Sequence, residues 1–256
     1  MVNYKSKLHI KKEKKDLIKF YIYLQMNNNS KKKKMKFFLL YFIILFVNLN
    51  GGEITTLTYE KTSGKGTYRT TYTIDSKENE FLIKIESKDQ NTELETTKSY
   101  VLKNFIYKSK KNKDEYTFVA TNSGIKALGE IKGNKMEATF EVDPKNPWIQ
   151  EFDFGLRPFL SSQKSAINFE LINPKTFKTH KMVAKKQGIE SVMIGDKNYQ
   201  AEVVHITLQG FKSMFWKALV WYDVKTQDLL MYKSNEGPHT PTTTIQLLSK
   251  ETKKGS

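Results

Sequence analysis

Between residues 53 and 249 apolar and polar side chains alternate in short runs. Tyr68, Thr70, Tyr72 and Ile74 alternate with Arg69, Thr71 and Thr73, and Phe81, Ile83 and Ile85 follow the same rule. Met136, Ala138, Phe140 and Val142 keep strict period two, and Val204, Ile206 and Leu208 oppose Tyr199, Ala201 and Val203. A period of two is the signature of a strand with two distinct faces. Thr, Tyr, Val, Phe and Ile dominate these runs, as β propensity requires. Gly64-Lys65-Gly66, Asp75–Asn79, Gly133-Asn134, Asn173–Thr176 and Gly195–Asn198 punctuate them. Turn signals recur roughly every eight to twelve positions, the spacing of an all-β sandwich or barrel. There is no fixed-period repeat and no linker, so residues 53–249 read as one β-rich domain, followed by a flexible tail over 250–256.

The C-terminal hairpin carries the most apolar area. Trp216, Ala218, Val220, Tyr222 and Val224 fall on one face, and Phe215, Leu219 and Trp221 largely on the other. Lys225–Asp228 suits a short turn, with Asp223 as a strand-end turn former, and Leu229–Tyr232 resumes the strand. A hairpin apolar on both faces wants cover on both. Each aromatic ring there buries roughly 150–250 Å²; at about 25 cal/mol per Å², several kcal/mol ride on this pair. A sheet, a helix or a ligand must lie against its second face.

Trp148–Ser162 (WIQEFDFGLRPFLSS) does not alternate. Asp153 and Arg157 are spaced to pair on a helix, while Gly155 and Pro158 prevent a long one. The expectation is one or two short helices around residues 148–162, lying on the sheet and supplying the missing cover.

Charge divides the chain. Residues 1–52 hold +10 of the net +16, so the basic character belongs mostly to the N-terminal segment. That excludes a nucleic-acid reading, which needs its basic footprint on the folded domain. The tip Lys108–Asp114 reads as a solvated hairpin loop. Phe37–Val47 is an unbroken apolar run behind Lys31–Lys34. Its eleven residues are short for a membrane span, which needs about twenty, and fit a signal-peptide core over 35–52. Cleavage near Gly51-Gly52 would release a periplasmic or secreted protein; an uncleaved anchor is the other reading, and the basic cluster fits both. Residues 1–34 precede Met35, which reads as the natural start, and are either mis-called or disordered; a genuine cytoplasmic tail is the alternative. The chain has no cysteine, so disulfides, zinc-thiolate sites and lipid attachment at a cysteine are excluded.

Pro147-Trp148-Ile149-Gln150, Gly188-Ile189-Glu190, Gly195–Ala201, Trp221-Tyr222-Asp223 and Gly237-Pro238 occur in an order that resembles a bacterial envelope family, domain of unknown function 3108. That family is similar in outline to lipoprotein-carrier folds of the LolA/LolB type, and the likeness spans roughly residues 54–248. The resemblance implies a single, strongly curved antiparallel sheet, a half-barrel closed on its concave side by short helices around an apolar interior. Carriers of that type hold acyl chains there. The family offers no catalytic residues to carry over.

Candidate chemistry is sparse. His180, His205 and His239 match no metal or triad spacing, and no Gly-x-Ser-x-Gly, phosphate loop or His-Glu-x-x-His occurs. Glu151 and Asp153 form a carboxylate pair that a solvated turn also explains. Trp148, Phe152, Phe154, Phe159, Trp216 and Trp221 either line a lipid-binding cavity or fill a core. The expectation is therefore a non-enzymatic exported envelope protein, without cofactor or metal, binding an apolar ligand such as a lipid or acyl chain. The alternatives are a structural or interaction module with a filled core and an envelope protein partner, and then an exported hydrolase.

Overall fold

The computed structural model describes residues 52–214, 216–235 and 240–254. The expected signal and the segment before it, and also Phe215, Gly237, Pro238 and His239, lie outside the described residues.

Fourteen strands follow in chain order: β1 (Glu53–Ser63), β2 (Gly66–Ser76), β3 (Glu80–Ser87), β4 (Gln90–Thr97), β5 (Leu102–Ser109), β6 (Glu115–Thr121), β7 (Gly124–Ile131), β8 (Asn134–Phe140), β9 (Ala166–Asn173), β10 (Lys178–Ile194), β11 (Lys197–Leu208), β12 (Lys217–Asp223), β13 (Leu229–Asn235) and β14 (Thr243–Lys254). Two one-turn helices, α1 (Phe152–Gly155) and α2 (Arg157–Leu160), stand between β8 and β9. All strands belong to one antiparallel sheet of order β8-β7-β6-β5-β4-β3-β2-β1-β14-β13-β12-β11-β10-β9. This is the single curved sheet with short inner helices that the LolA/LolB likeness implies.

The last strand therefore joins the first in mid-sheet. Glu53 pairs with Lys254 and Leu57 with Lys250, so residues 250–254 are strand and not the flexible tail expected from their polarity. Neighbouring strand β1 satisfies their backbone groups, which composition cannot show.

Inward-facing residues line up across the ladder. The row Ile74, Ile83, Leu94, Phe105, Phe118 and Ala127 runs through successive register partners from β2 to β7. Most of these side chains are buried. Curvature brings distant parts of the row together. Phe118 on β6 meets Phe177 in the β9–β10 turn edge-on at 5.6 Å and Trp148 at 6.1 Å, although β6 and β9 lie near opposite edges of the sheet. The two edge strands do not pair with each other. Pro147–Ile149 instead takes part of the outer edge of β9, with Ile149 N donating to Glu170 O at 2.9 Å and Glu170 N to Pro147 O at 3.0 Å.

The long strand β10 bends at a bulge between Lys186 and Gly188, where Gly188 adopts φ +125°, a backbone state that disfavours side chains. Beyond the bulge β10 covers the outer side of β12. Trp221 is buried there: its indole donates to the Glu190 carboxylate, and the Lys233 ammonium sits 5.5 Å from its ring. Tyr222, on the opposite face, donates its hydroxyl to Phe152 O at 3.1 Å. The hairpin thus has cover on both faces, strand outside and helix inside.

Phe118 is fully buried and touches four other aromatic rings, those of Phe105, Tyr116, Trp148 and Phe177. Phe118→Ala is expected to cost about 3–5 kcal/mol by loss of burial and creation of a cavity, measured by urea unfolding.

Candidate functional site

Residues 150–162 form a plug that crosses the inner side of the sheet. One rim of the sheet carries the β1–β2, β3–β4, β5–β6 and β7–β8 turns; we call it the lower rim. The other, upper rim carries the β2–β3, β4–β5 and β12–β13 turns and the start of β1. The plug is fastened towards the lower rim by Gln150, whose amide donates to Ile172 O at 3.0 Å. At mid-height it accepts the Tyr222 hydroxyl. Towards its end, Lys186 donates to Leu160 O at 3.0 Å and Ser162 O at 2.8 Å, and Gln227 to Ser161 Oγ at 2.8 Å. Pro158 occupies the first turn of α2, where its missing N–H costs nothing. Gly155 is required by contact: a Cβ there would come within 2.6 Å of Ile149 Cγ2.

The strongest fastening is Arg157. Its Nη2 donates to Asp228 Oδ1 at 2.9 Å, with both side chains under a tenth exposed. Nη1 reaches Tyr100 Oη at 3.2 Å, and Nε reaches the Asp153 main-chain oxygen at 3.2 Å. The helical spacing of Asp153 and Arg157 thus delivers a main-chain contact, and the guanidinium takes its ion-pair partner from the β12–β13 turn. The guanidinium carbon also lies 4.9 Å from the Tyr100 ring and 5.4 Å from that of Phe154. Asp228 Oδ2 accepts from Thr226 Oγ1 and Lys250 Nζ, each at 2.6 Å. Burial alone would raise the Asp228 pKa, but the Lys250 and Thr226 hydrogen bonds and the Arg157 charge outweigh it and hold the carboxyl below its usual range.

The plug's other carboxyls behave oppositely. Burial, reinforced by the Asp153 charge, pushes Glu151 up to about 8, against a small opposing pull from Lys61. Burial raises Asp153 to about 6, partly offset by a Tyr72 hydrogen bond and the Arg157 charge. Tyr59, Tyr72 and Tyr222 surround them, all raised well above the ordinary phenol value, chiefly by burial. The Tyr59 hydroxyl has no hydrogen-bond partner among the described residues.

Beside Arg157, under the upper rim, a cavity of about 270 Å³ remains. Ile74, Phe81, Tyr100 and Phe154 give it an apolar wall; Arg157, Thr226, Asp228 and Lys250 give it a polar one. Tyr100 stacks on Phe81 at 4.9 Å and holds the wall flat. A more open groove of about 430 Å³ on the outer face includes His205, Lys217, Leu219 and Lys233.

Of the aromatic residues singled out from sequence, Phe154 lines the inner cavity. Trp148 packs on Phe118, and its indole donates to Gln150 Oε1 at 3.1 Å. Phe152 lies between Phe169 and Trp216, 5.9 and 6.3 Å away, and buried Phe159 packs under the Lys186 ammonium. Trp221 faces away from the plug. Trp148, Phe152, Phe154, Phe159 and Trp216 all belong to the plug or pack beside it. Tyr100, Asp228 and Lys250 escaped the sequence reading because polar turn and tail residues carry no periodic signal.

His180 and His205 do not converge. His205 pairs with Lys185, whereas His180 sits five residues further along β10, roughly 16 Å away at strand rise. His180 contacts Asn173 at 3.3 Å. His205 is lowered by burial and by Lys217 and Lys185. Among the described residues no group of His, Cys, Asp and Glu could hold a metal.

No family model matches the chain, and no curated protein matches it. Solved structures do. A beta-barrel-like protein of domain of unknown function DUF1849 from Brucella abortus aligns with 78% of this chain and 98% of its own at TM-score 0.54 and 9% identity, which shows a shared fold. The hypothetical lipoprotein YmcC from Escherichia coli (K12) aligns with 87% of this chain and 98% of its own at TM-score 0.36 and 16% identity. The LolA superfamily protein NE2245 from Nitrosomonas europaea covers 79% of this chain and 86% of its own at TM-score 0.20 and 8% identity.

Two measurements test how the plug is held. Asp228→Asn strands a buried guanidinium and is expected to cost about 3–5 kcal/mol, whereas Arg157→Met with Asp228→Leu costs less than Arg157→Met and Asp228→Leu taken singly and summed; denaturant unfolding of the wild type and these four variants checks this. Glu151 binds its proton more tightly folded than unfolded, so that contribution is complete below pH 4.5, its unfolded value, and is lost as pH rises through about 8. Glu151→Gln is expected to flatten the fall in stability across that window, read from unfolding curves at acid and alkaline pH.

Proposed function

We propose that this is a non-catalytic envelope protein that receives one end of an amphipathic molecule, a lipid or fatty acid, inside its curved sheet. The cavity beside Arg157 carries the reading: it opens between the plug, the sheet and the β12–β13 turn. Its apolar wall suits a hydrocarbon segment, and its polar wall suits a headgroup or linkage. At about 30 Å³ per water-sized group, the space takes roughly nine such groups. That accommodates a short acyl segment and excludes a whole lipid unless the plug moves. The apolar run Phe37–Val47 supports export to the envelope, and the resemblance to domain of unknown function 3108 belongs to the same reading.

A filled-core interaction module is the second reading, favoured by the dense packing of Phe118, Trp148 and Phe177. The two separate cleanly. Protein purified from its own envelope is expected to carry lipid in native mass spectrometry and to take up a fluorescent fatty acid, and Thr55→Trp, which fills the cavity wall, is expected to abolish uptake. Lipid-free protein that takes up none, or uptake indifferent to Thr55→Trp, would leave the interaction module standing.

A further inference from the structure

The lower rim, opposite the cavity, carries a feature unrelated to the plug. Three turns that are far apart in sequence are joined there by hydrogen bonds. Lys110 N, in the β5–β6 turn, donates to Asp89 O in the β3–β4 turn at 2.8 Å. Lys132 N, in the β7–β8 turn, donates to Asp114 Oδ1 at 2.7 Å. The Lys111 ammonium closes the set on the Asp89 carboxylate at 2.7 Å. The turns therefore form one platform in which Asp89 and Asp114 are spent on holding it together.

Around this platform the exposed lysines outnumber the exposed carboxylates, Glu86 and Glu115. Lys88, Lys113, Lys132 and Lys135 are exposed, one or more from each turn, with Lys110 beside them and Lys108 paired with Glu115 at 3.1 Å. The upper rim differs: there Lys77, Lys103 and Lys250 are paired with Asp75, Glu80, Glu95 and Asp228. The lower rim thus gathers its exposed lysines on three joined turns, whereas those of the upper rim, Lys197, Lys225, Lys253 and Lys254, are spread over the β10–β11 and β12–β13 turns and the end of β14.

We propose that this lower-rim platform docks on an anionic lipid bilayer. The chemistry separates that partner from other polyanions. The platform uses lysines, which act as point charges on a diffuse anionic surface, and has no arginine fork for bidentate phosphate recognition. Tyr107 and Tyr116, the aromatics of the neighbouring strands, stack on each other at 4.6 Å and Tyr116 is buried, so no ring platform faces out for bases. Among the described residues no exposed large apolar side chain lies within the three turns, so the anchors of a protein interface are missing.

The test compares the full chain with two variants of equal charge. Lys88, Lys113, Lys132 and Lys135 are changed to Gln in one, and Lys197, Lys225, Lys253 and Lys254 in the other. Each is sedimented with phosphatidylcholine vesicles with and without phosphatidylglycerol, and the phosphatidylglycerol-dependent increment is read. Residues 1–52, with their +10, bind anionic vesicles equally in all three, so each variant is read as its difference from the wild-type increment. The lower-rim variant is expected to lower the increment at least about fivefold more than the upper-rim variant does, and added salt suppresses the wild-type increment. Equal losses in both variants overturn the proposal. So does an increment that is absent or insensitive to salt, a result that needs no variant to fold.

Discussion

A sheet bent until its own inner face meets itself has to fill the space it encloses, and this requirement organises the molecule. Strands β2 to β7 present a continuous apolar row inward. Phe118 bridges that row to Trp148 and Phe177 across the bend. What the strands cannot fill, the plug does, and it links the two edge strands β8 and β9 in the chain. Taking part of the β9 edge with Pro147–Ile149 also covers backbone groups that an open edge would expose.

The plug is an unusual piece of core because much of its hold is polar. Arg157 and Asp228 supply a buried ion pair, Lys186 and Gln150 satisfy main-chain groups at its ends, and buried Asp153 lies beside half-buried Glu151. Apolar packing improves steadily as voids close, whereas a polar network is fixed by geometry and leaves gaps where its partners do not reach. The cavity beside Arg157 and the unpaired Tyr59 hydroxyl are such gaps.

The two rims divide the chemistry. The cavity mouth belongs to the upper rim, and a braced platform of exposed lysines to the lower one. Antiparallel connectivity makes this segregation possible, since alternate turns fall at the same end and residues far apart in sequence become neighbours.

Period-two alternation, turn residues and the broken run around Gly155 and Pro158 were enough to determine the strands, the short helices and the two-faced C-terminal hairpin. Each of these depends on contacts a few residues apart, which the order of side chains records directly. Tertiary structure alone decided that β14 completes the sheet against β1, that Trp221 and Tyr222 serve opposite layers, and that Arg157 pairs with Asp228 instead of Asp153. It also turned a solvated-looking lysine loop into one part of a joined platform. Those outcomes depend on register and curvature, which bring together residues as far apart as Glu53 and Lys254, and no local pattern in the chain encodes such pairings.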